Sequence, residues 1–145
     1  MSQQHLRFAL FGNEYQTKKS VAVERTINYL RAHGAELYID RPYYEFLVRQ
    51  SDDEVWCSGV FDDYNFDVDF AISLGGDGTF LRAASRVGAK GIPVLGVNMG
   101  RLGFLSDVLP LEVEKALDEI FEGQYKLEEH TVIKVEAEGE GIILW

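Results

Sequence analysis

The segment of the sequence with the clearest chemical potential is Gly75-Gly76-Asp77-Gly78-Thr79. It lies between an apolar run that predicts a strand and a periodic run that predicts a helix. Glycines let backbone N–H groups approach a ligand, and the first turn of a helix favours anions. The segment therefore indicates a phosphate-binding loop at a strand-to-helix junction. The alternative is a turn in which the glycines adopt positive φ and Asp77 caps the helix.

Asp77 favours a reactive site, because a carboxylate in an anion-binding loop repels phosphate unless it accepts a proton or organises a cation. We expect it to act as the general base. Arg82 and Arg86 follow four residues apart, hence on one face of the predicted helix, and would place positive charge near the loop. A solvated helix face is the alternative for both arginines, and we prefer it for Arg86.

A second glycine-rich segment, residues 96–104, follows the next predicted strand and should lie beside the first loop at the same sheet edge. Together the two loops would form one crevice. The alternative for the second segment is a turn over a buried Phe104. The glycines fit neither standard nucleotide fingerprint, since the third glycine of the dinucleotide motif and the Gly-Lys-Ser/Thr of the P-loop are both absent.

Apolar runs and helical periodicity alternate along the chain in the order expected for a parallel α/β sheet. The predicted strands are 6–11, 35–39, 66–74 and 92–97. The predicted helices carry Val23, Ile27 and Leu30, then Phe80, Ala84 and Val87, and finally, after Pro110, Val113, Leu117, Ile120 and Phe121. Gly34 and Gly123 stand where the first and last helices should end.

Two segments depart from this alternation. Residues 51–69 contain seven acidic and no basic residues, which predicts a solvated loop. The tail, residues 125–145, contains a predicted strand at 131–135 with no helix after it. We predict a Rossmann-like domain over residues 1–124 and, over 125–145, the beginning of a truncated, β-rich second domain.

The formal net charge of −10 argues against nucleic acid or an anionic membrane surface as a partner. No run of apolar residues approaches the length of a membrane span, and a single cysteine, Cys57, cannot form an internal disulfide. We therefore expect a cytoplasmic protein. His5, His33 and His130 have no spacing that would gather a metal on one element.

Two blocks together resemble the NAD kinase family. Residues 75–81, Gly-Gly-Asp-Gly-Thr-Phe-Leu, resemble its signature, and residues 92–98 with 103–105 resemble its second block. The resemblance covers residues 5–135, although 40–66 carry no diagnostic motif. The family's later Asn-Glu motif and most of its second domain have no counterpart in these 145 residues.

The resemblance implies a Rossmann-like domain followed by a β-rich one, ATP as phosphoryl donor, NAD as acceptor, and a divalent cation, expected to be Mg²⁺. It implies that Asp77 accepts the proton of the ribose 2′-hydroxyl and that Gly78 and Arg82 contact NAD. Gly75, Gly76 and Thr79 would shape the donor-phosphate region, and Phe104 would line the adenine pocket. A homo-oligomer is also implied. No residue is identified as a metal ligand.

Two alternatives stay open. Lipid kinases of the diacylglycerol or sphingosine type have a similar nucleotide loop, although the second block argues against them. A catalytically silent NAD-sensing module would use the same crevice for binding alone, and the presence of Asp77 argues against it. The 145-residue chain is itself expected to be inactive alone.

Overall fold

The computed structural model describes residues 5–13, 21–50, 54–62, 66–98, 112–123, 128–129 and 142–144. The strands in these ranges are β1 (Arg7–Gly12), β2 (Glu36–Asp40), β3 (Gly59–Phe61), β4 (Phe70–Gly75), β5 (Pro93–Asn98), β6 (Glu128–Glu129) and β7 (Ile142–Leu144). The helices are α1 (Val21–Ala32), α2 (Arg41–Gln50), α3 (Asp77–Val87) and α4 (Val113–Glu122), and a short 3-10 helix, Gly88–Lys90, follows α3.

The described strands form one sheet in the order β3-β2-β1-β4-β5-β7-β6. Strands β1 to β5 pair with one another in parallel, which confirms the predicted parallel α/β fold. β7 pairs antiparallel with β5, and β6 pairs with β7, so the described part of the tail extends this sheet. The division into two domains near residue 124 stays a prediction, and the strand predicted at 131–135 lies outside the described residues.

The two faces of the sheet bury separate hydrophobic cores because side chains alternate along each strand. Phe8 and Leu10 of β1 pack on one face with apolar residues of α1, α2 and α4. Ala9 and Phe11 pack on the other face with residues of α3. Helix α3 therefore lies on the opposite face of the sheet from the other three α-helices in the described ranges.

The helices predicted from periodicity are confirmed by burial. Val23 and Leu30 of α1 are buried, as are Phe80, Ala84 and Val87 of α3 and Val113, Leu117 and Ile120 of α4. Gly34 follows α1 with φ +73° and Gly123 caps α4 with φ +74°, the left-handed conformation that glycine adopts without strain. Pro110 lies outside the described residues.

The prediction of a solvated loop over residues 51–69 is wrong. Residues 59–61 form β3, which pairs with β2, and Phe61, Phe66 and Val68 are buried in the core on the α3 face. The acidic residues gave the segment its polar composition, yet the apolar residues between them fill the space beside β1 and β2. Helix α2 was not predicted, although Tyr43, Phe46 and Leu47 are buried at helical spacing.

None of the described helices is long and apolar enough to cross a membrane.

Candidate functional site

The candidate site lies where the strand order changes direction. β2 and β3 follow β1 on one side of it, whereas β4 and then β5 lie on its other side. β1 and β4 are parallel neighbours, with Gly12 paired with Leu74, so the segments that follow these two strands leave the same edge of the sheet. In open α/β sheets ligands bind at such a switch point, outside the carboxyl ends of the strands.

The glycine loop begins directly at this edge. Gly75 is the last residue of β4, Gly76 is the N-cap of α3, and Asp77 is the first residue of the helix. Gly76 has φ −103° and ψ −160°, and as a glycine it has no side chain with which to cap the helix. Among the described glycines, only Gly34, Gly91 and Gly123 have positive φ. The alternative of a positive-φ turn capped by Asp77 is therefore wrong.

The loop glycines fall into two groups by their surroundings. A Cβ on Gly75 would lie 2.5 Å from Oγ1 of Thr79, whose side chain is buried beneath the loop, so Gly75 is needed for packing. Gly76 and Gly78 are exposed, and a Cβ at either would meet no heavy atom within 4 Å. The described part of the protein thus gives no steric reason for these two glycines, and close approach of a ligand to the backbone supplies one.

Arg82 connects the loop helix to the end of β1. Its Nη2 donates a hydrogen bond to the carbonyl oxygen of Gly12 over 2.6 Å. The side chain is 36% exposed, so it is neither a freely solvated residue nor a core residue. The structure therefore places Arg82 at the switch point, as its predicted role requires, and its contact with NAD stays a prediction.

A buried carboxylate holds the second arginine of this helix. Asp40 ends β2 and is 2% exposed; its Oδ1 lies 3.2 Å from Nη2 of Arg86, and its Oδ2 lies 3.9 Å from Nη2 of Arg82. The Arg86 guanidinium also lies over the rings of Phe11 and Phe61, at 5.4 and 5.7 Å from their centroids. The solvated-face interpretation of Arg86 is wrong, because the side chain is enclosed by an acid and two aromatic rings.

Two further residues shape the same edge. Tyr43 of α2 is fully buried with its ring against Gly12, and this burial raises the pKa of its hydroxyl. Arg41 donates two hydrogen bonds to the Asp62 carboxylate, over 2.6 and 3.2 Å, and they lower the pKa of Asp62. The ends of β1, β2 and β3 are thus fixed by side chains from α2 and α3.

The structure brings together most of the residues predicted from the sequence. Gly75, Gly76, Asp77, Gly78, Thr79 and Arg82 all lie at the carboxyl end of β4 or in the first turns of α3. Gly96 lies within β5, which ends beside Gly75 through the pair Gly75 and Asn98. Residues 99–104 of the second segment, including Phe104, lie outside the described residues.

Asp40 was missed by the sequence analysis. Its position directly after the predicted strand 35–39 was a usable signal, since acidic residues at the end of the second strand are characteristic of dinucleotide-binding folds. Among the described residues, no group of three or more His, Cys, Asp and Glu side chains could hold a metal ion.

Comparison with known proteins identifies relatives of this sheet and loop. Residues 8–125 match the family model described as the ATP-NAD kinase N-terminal domain. The chain is 48% identical over 130 residues to an NAD kinase of Bacteroides fragilis, a match that covers 90% of this chain and 45% of that protein. It is 36% identical over 129 residues to an NAD kinase of Porphyromonas gingivalis, covering 89% of this chain and 45% of that protein.

A solved structure agrees on the fold. A yeast NADH kinase complexed with NADH has a TM-score of 0.66 and 20% identity, with 83% of this chain and 39% of that chain covered. At this identity the likeness shows the fold. The chain spans about 45% of the length of the two bacterial relatives above.

Proposed function

This chain belongs to the NAD kinase family, and we propose that it forms the part of such an enzyme that carries the phosphate loop and the catalytic base. The proposed reaction is transfer of a phosphoryl group from ATP to the 2′-hydroxyl on the adenosine ribose of NAD. The observation that carries the proposal is the pair of exposed glycines, Gly76 and Gly78, at the start of a helix at the switch point. Both are open to a ligand, and neither is needed for the described packing.

Phosphoryl transfer requires in-line placement of the two substrates, neutralisation of charge and an acceptor for the nucleophile's proton. Asp77, as the first residue of α3, stands where the helix N-terminus meets the loop and is proposed to accept that proton. Gly75, Gly76 and Thr79 are proposed to shape the donor-phosphate region. Gly78 and Arg82 are proposed to contact NAD, with Arg82 already anchored at the end of β1.

A divalent cation is implied by the family and would supply charge neutralisation on the donor phosphates. The described residues offer no ligand cluster for it. The buried carboxylate at this edge, Asp40, is already engaged by two arginines. We therefore propose that the cation is held mainly by phosphate oxygens and water, and no step is assigned to a metal held by this chain.

The rest of the site is proposed to come from the part of the family fold that this chain does not match, since the chain spans about 45% of its bacterial relatives. Under this proposal residues 1–124 supply one wall of the crevice and residues 125–145 begin the β-rich domain that supplies the other. A homo-oligomer and a cytoplasmic location are proposed on family grounds.

A chimera tests the function and both alternatives at once. Residues 8–125 of this chain would replace the matching segment of the Bacteroides fragilis relative, with which the chain shares 48% identity. Purified chimera would be assayed with ATP and either NAD or diacylglycerol. The proposal predicts NADP formation and no phosphorylated lipid. Lipid phosphorylation would favour the lipid-kinase alternative, and NAD binding without turnover would favour a sensing module.

A further inference from the structure

The carboxylate of Asp40 and the guanidinium of Arg82 form an arrangement that the loop chemistry alone does not require. Asp40 is the last residue of β2, and its side chain is 2% exposed on the face of the sheet that packs against α3. Arg82 lies between this carboxylate, 3.9 Å away, and the Gly12 carbonyl, 2.6 Å away. Two acceptors on adjacent strands thus face one planar guanidinium, which limits its possible orientations.

Asp40 also contacts the second arginine of α3. Arg86 lies 3.2 Å from the other oxygen of Asp40 and is 16% exposed. One buried carboxylate thus orients two guanidinium groups at the switch point of a chain whose net charge is −10.

In dinucleotide-binding folds, an acid at the end of the second strand accepts hydrogen bonds from the ribose hydroxyls. Asp40 holds the same position along its strand, but it is buried and paired with arginines instead of facing a ligand. We propose that Asp40 is a positioning residue, which fixes Arg82 at the end of β1 so that Arg82 can meet the phosphate or ribose groups of NAD. This inference rests on the proposed function.

Replacement of Asp40 by Asn distinguishes the positioning of Arg82 from a direct effect of charge, because the two change the affinity for NAD in opposite directions. Removing a negative charge would by itself tighten the binding of anionic NAD. Loss of Arg82 positioning would weaken it, and we expect the dissociation constant of the chimera for NAD to rise about tenfold when it carries Asp40→Asn. Asp62→Asn is the matched control, because it removes an exposed ion-paired carboxylate at the next strand end. It removes the same charge without touching Arg82, so NAD affinity should stay unchanged or rise slightly.

A double-mutant cycle shows whether Asp40 acts through Arg82. In an Arg82→Ala background, Asp40→Asn should cause no further loss of NAD affinity. If Asp40→Asn alone destabilises the fold, Asp40→Asn with Arg86→Gln removes one negative and one positive charge together and leaves the net charge of the chain unchanged. The double variant is expected to lose as much NAD affinity as Asp40→Asn alone. The proposal would be overturned if Asp40→Asn caused the same loss of NAD affinity with Arg82 present and with Arg82→Ala. Tighter NAD binding by a folded Asp40→Asn variant would also overturn it.

A second measurement needs no ligand. Arginine side-chain NMR on the whole chain should show a guanidinium of Arg82 with slow rotation about its Nε–Cζ bond, and Asp40→Asn should make that rotation fast. Unchanged rotation in the variant would refute positioning. If the unaltered chimera fails to bind NAD, the proposed function fails instead, and the spectrum alone then decides whether Asp40 positions Arg82.

Discussion

The Nη2 atom of Arg82 lies 2.6 Å from the carbonyl oxygen of Gly12, which joins the loop helix α3 to the last residue of β1. On the opposite face of the sheet, the buried ring of Tyr43 from α2 packs directly against the same glycine. The end of β1 is therefore held by hydrogen bonding from one face and by packing from the other. This fixes the end of the strand that lies beside the glycine loop.

A methyl group at Gly12 would overlap the ring of Tyr43, which has no room to move in a fully buried position. We expect Gly12→Ala to lower the free energy of unfolding by about 1–3 kcal/mol, the usual cost of overpacking. Gly88→Ala is the control, since Gly88 has φ −55° and open space around its Cα. Urea denaturation of both variants measures the effect, and equal midpoints would show that Tyr43 repacks freely.

Gly76→Ala should affect ligand binding without affecting the fold. A Cβ at Gly76 meets no atom within 4 Å, so the free energy of unfolding should stay within about 0.5 kcal/mol. Displacement of a bound phosphate should lower turnover of the chimera by about tenfold to 10². Gly75→Ala provides the contrast, because its Cβ would clash with Thr79 and lower stability. Unchanged turnover in Gly76→Ala would remove the loop from the phosphate site.

Arg82→Ala in the chimera should weaken NAD binding about tenfold and lower stability by about 1–2 kcal/mol, since it removes both the proposed ligand contact and the hydrogen bond to Gly12. Arg25→Ala is the matched control, because Arg25 is similarly exposed and pairs with Glu114 over 2.9 Å. Calorimetric titration with NAD distinguishes the two variants. The same dissociation constant in the Arg82→Ala chimera and the unaltered chimera would limit Arg82 to a structural role.

Local patterns in the sequence were enough to predict the strand–loop–helix at residues 75–79 and the capped helices α1 and α4. They could not predict β3, whose three residues are too few to show alternation and which depends on pairing with β2. The pairing of Asp40 with Arg86 joins residues 46 positions apart, so helical spacing alone suggested a solvated arginine. Contacts formed only by the folded sheet determined these features.

The 145-residue chain alone should form no measurable NADP. Holding two substrates in an attack geometry accounts for roughly 7–11 kcal/mol of barrier lowering, and this chain is proposed to supply one wall of the crevice. A coupled assay for NADP, with the Bacteroides fragilis relative as positive control, checks this. Activity within about tenfold of that enzyme would show that the described half of the family fold contains a complete site.

The most direct test of the proposed base role of Asp77 compares the rate of NADP formation by the chimera with that of the same chimera carrying Asp77→Asn. A general base contributes on the order of 10² or more to rate, whereas a residue used only for binding changes affinity. Turnover should fall by about 10² or more while the dissociation constant for NAD changes by less than about threefold. Near-equal turnover in the two proteins would contradict the base role, and so would an affinity loss with unchanged turnover.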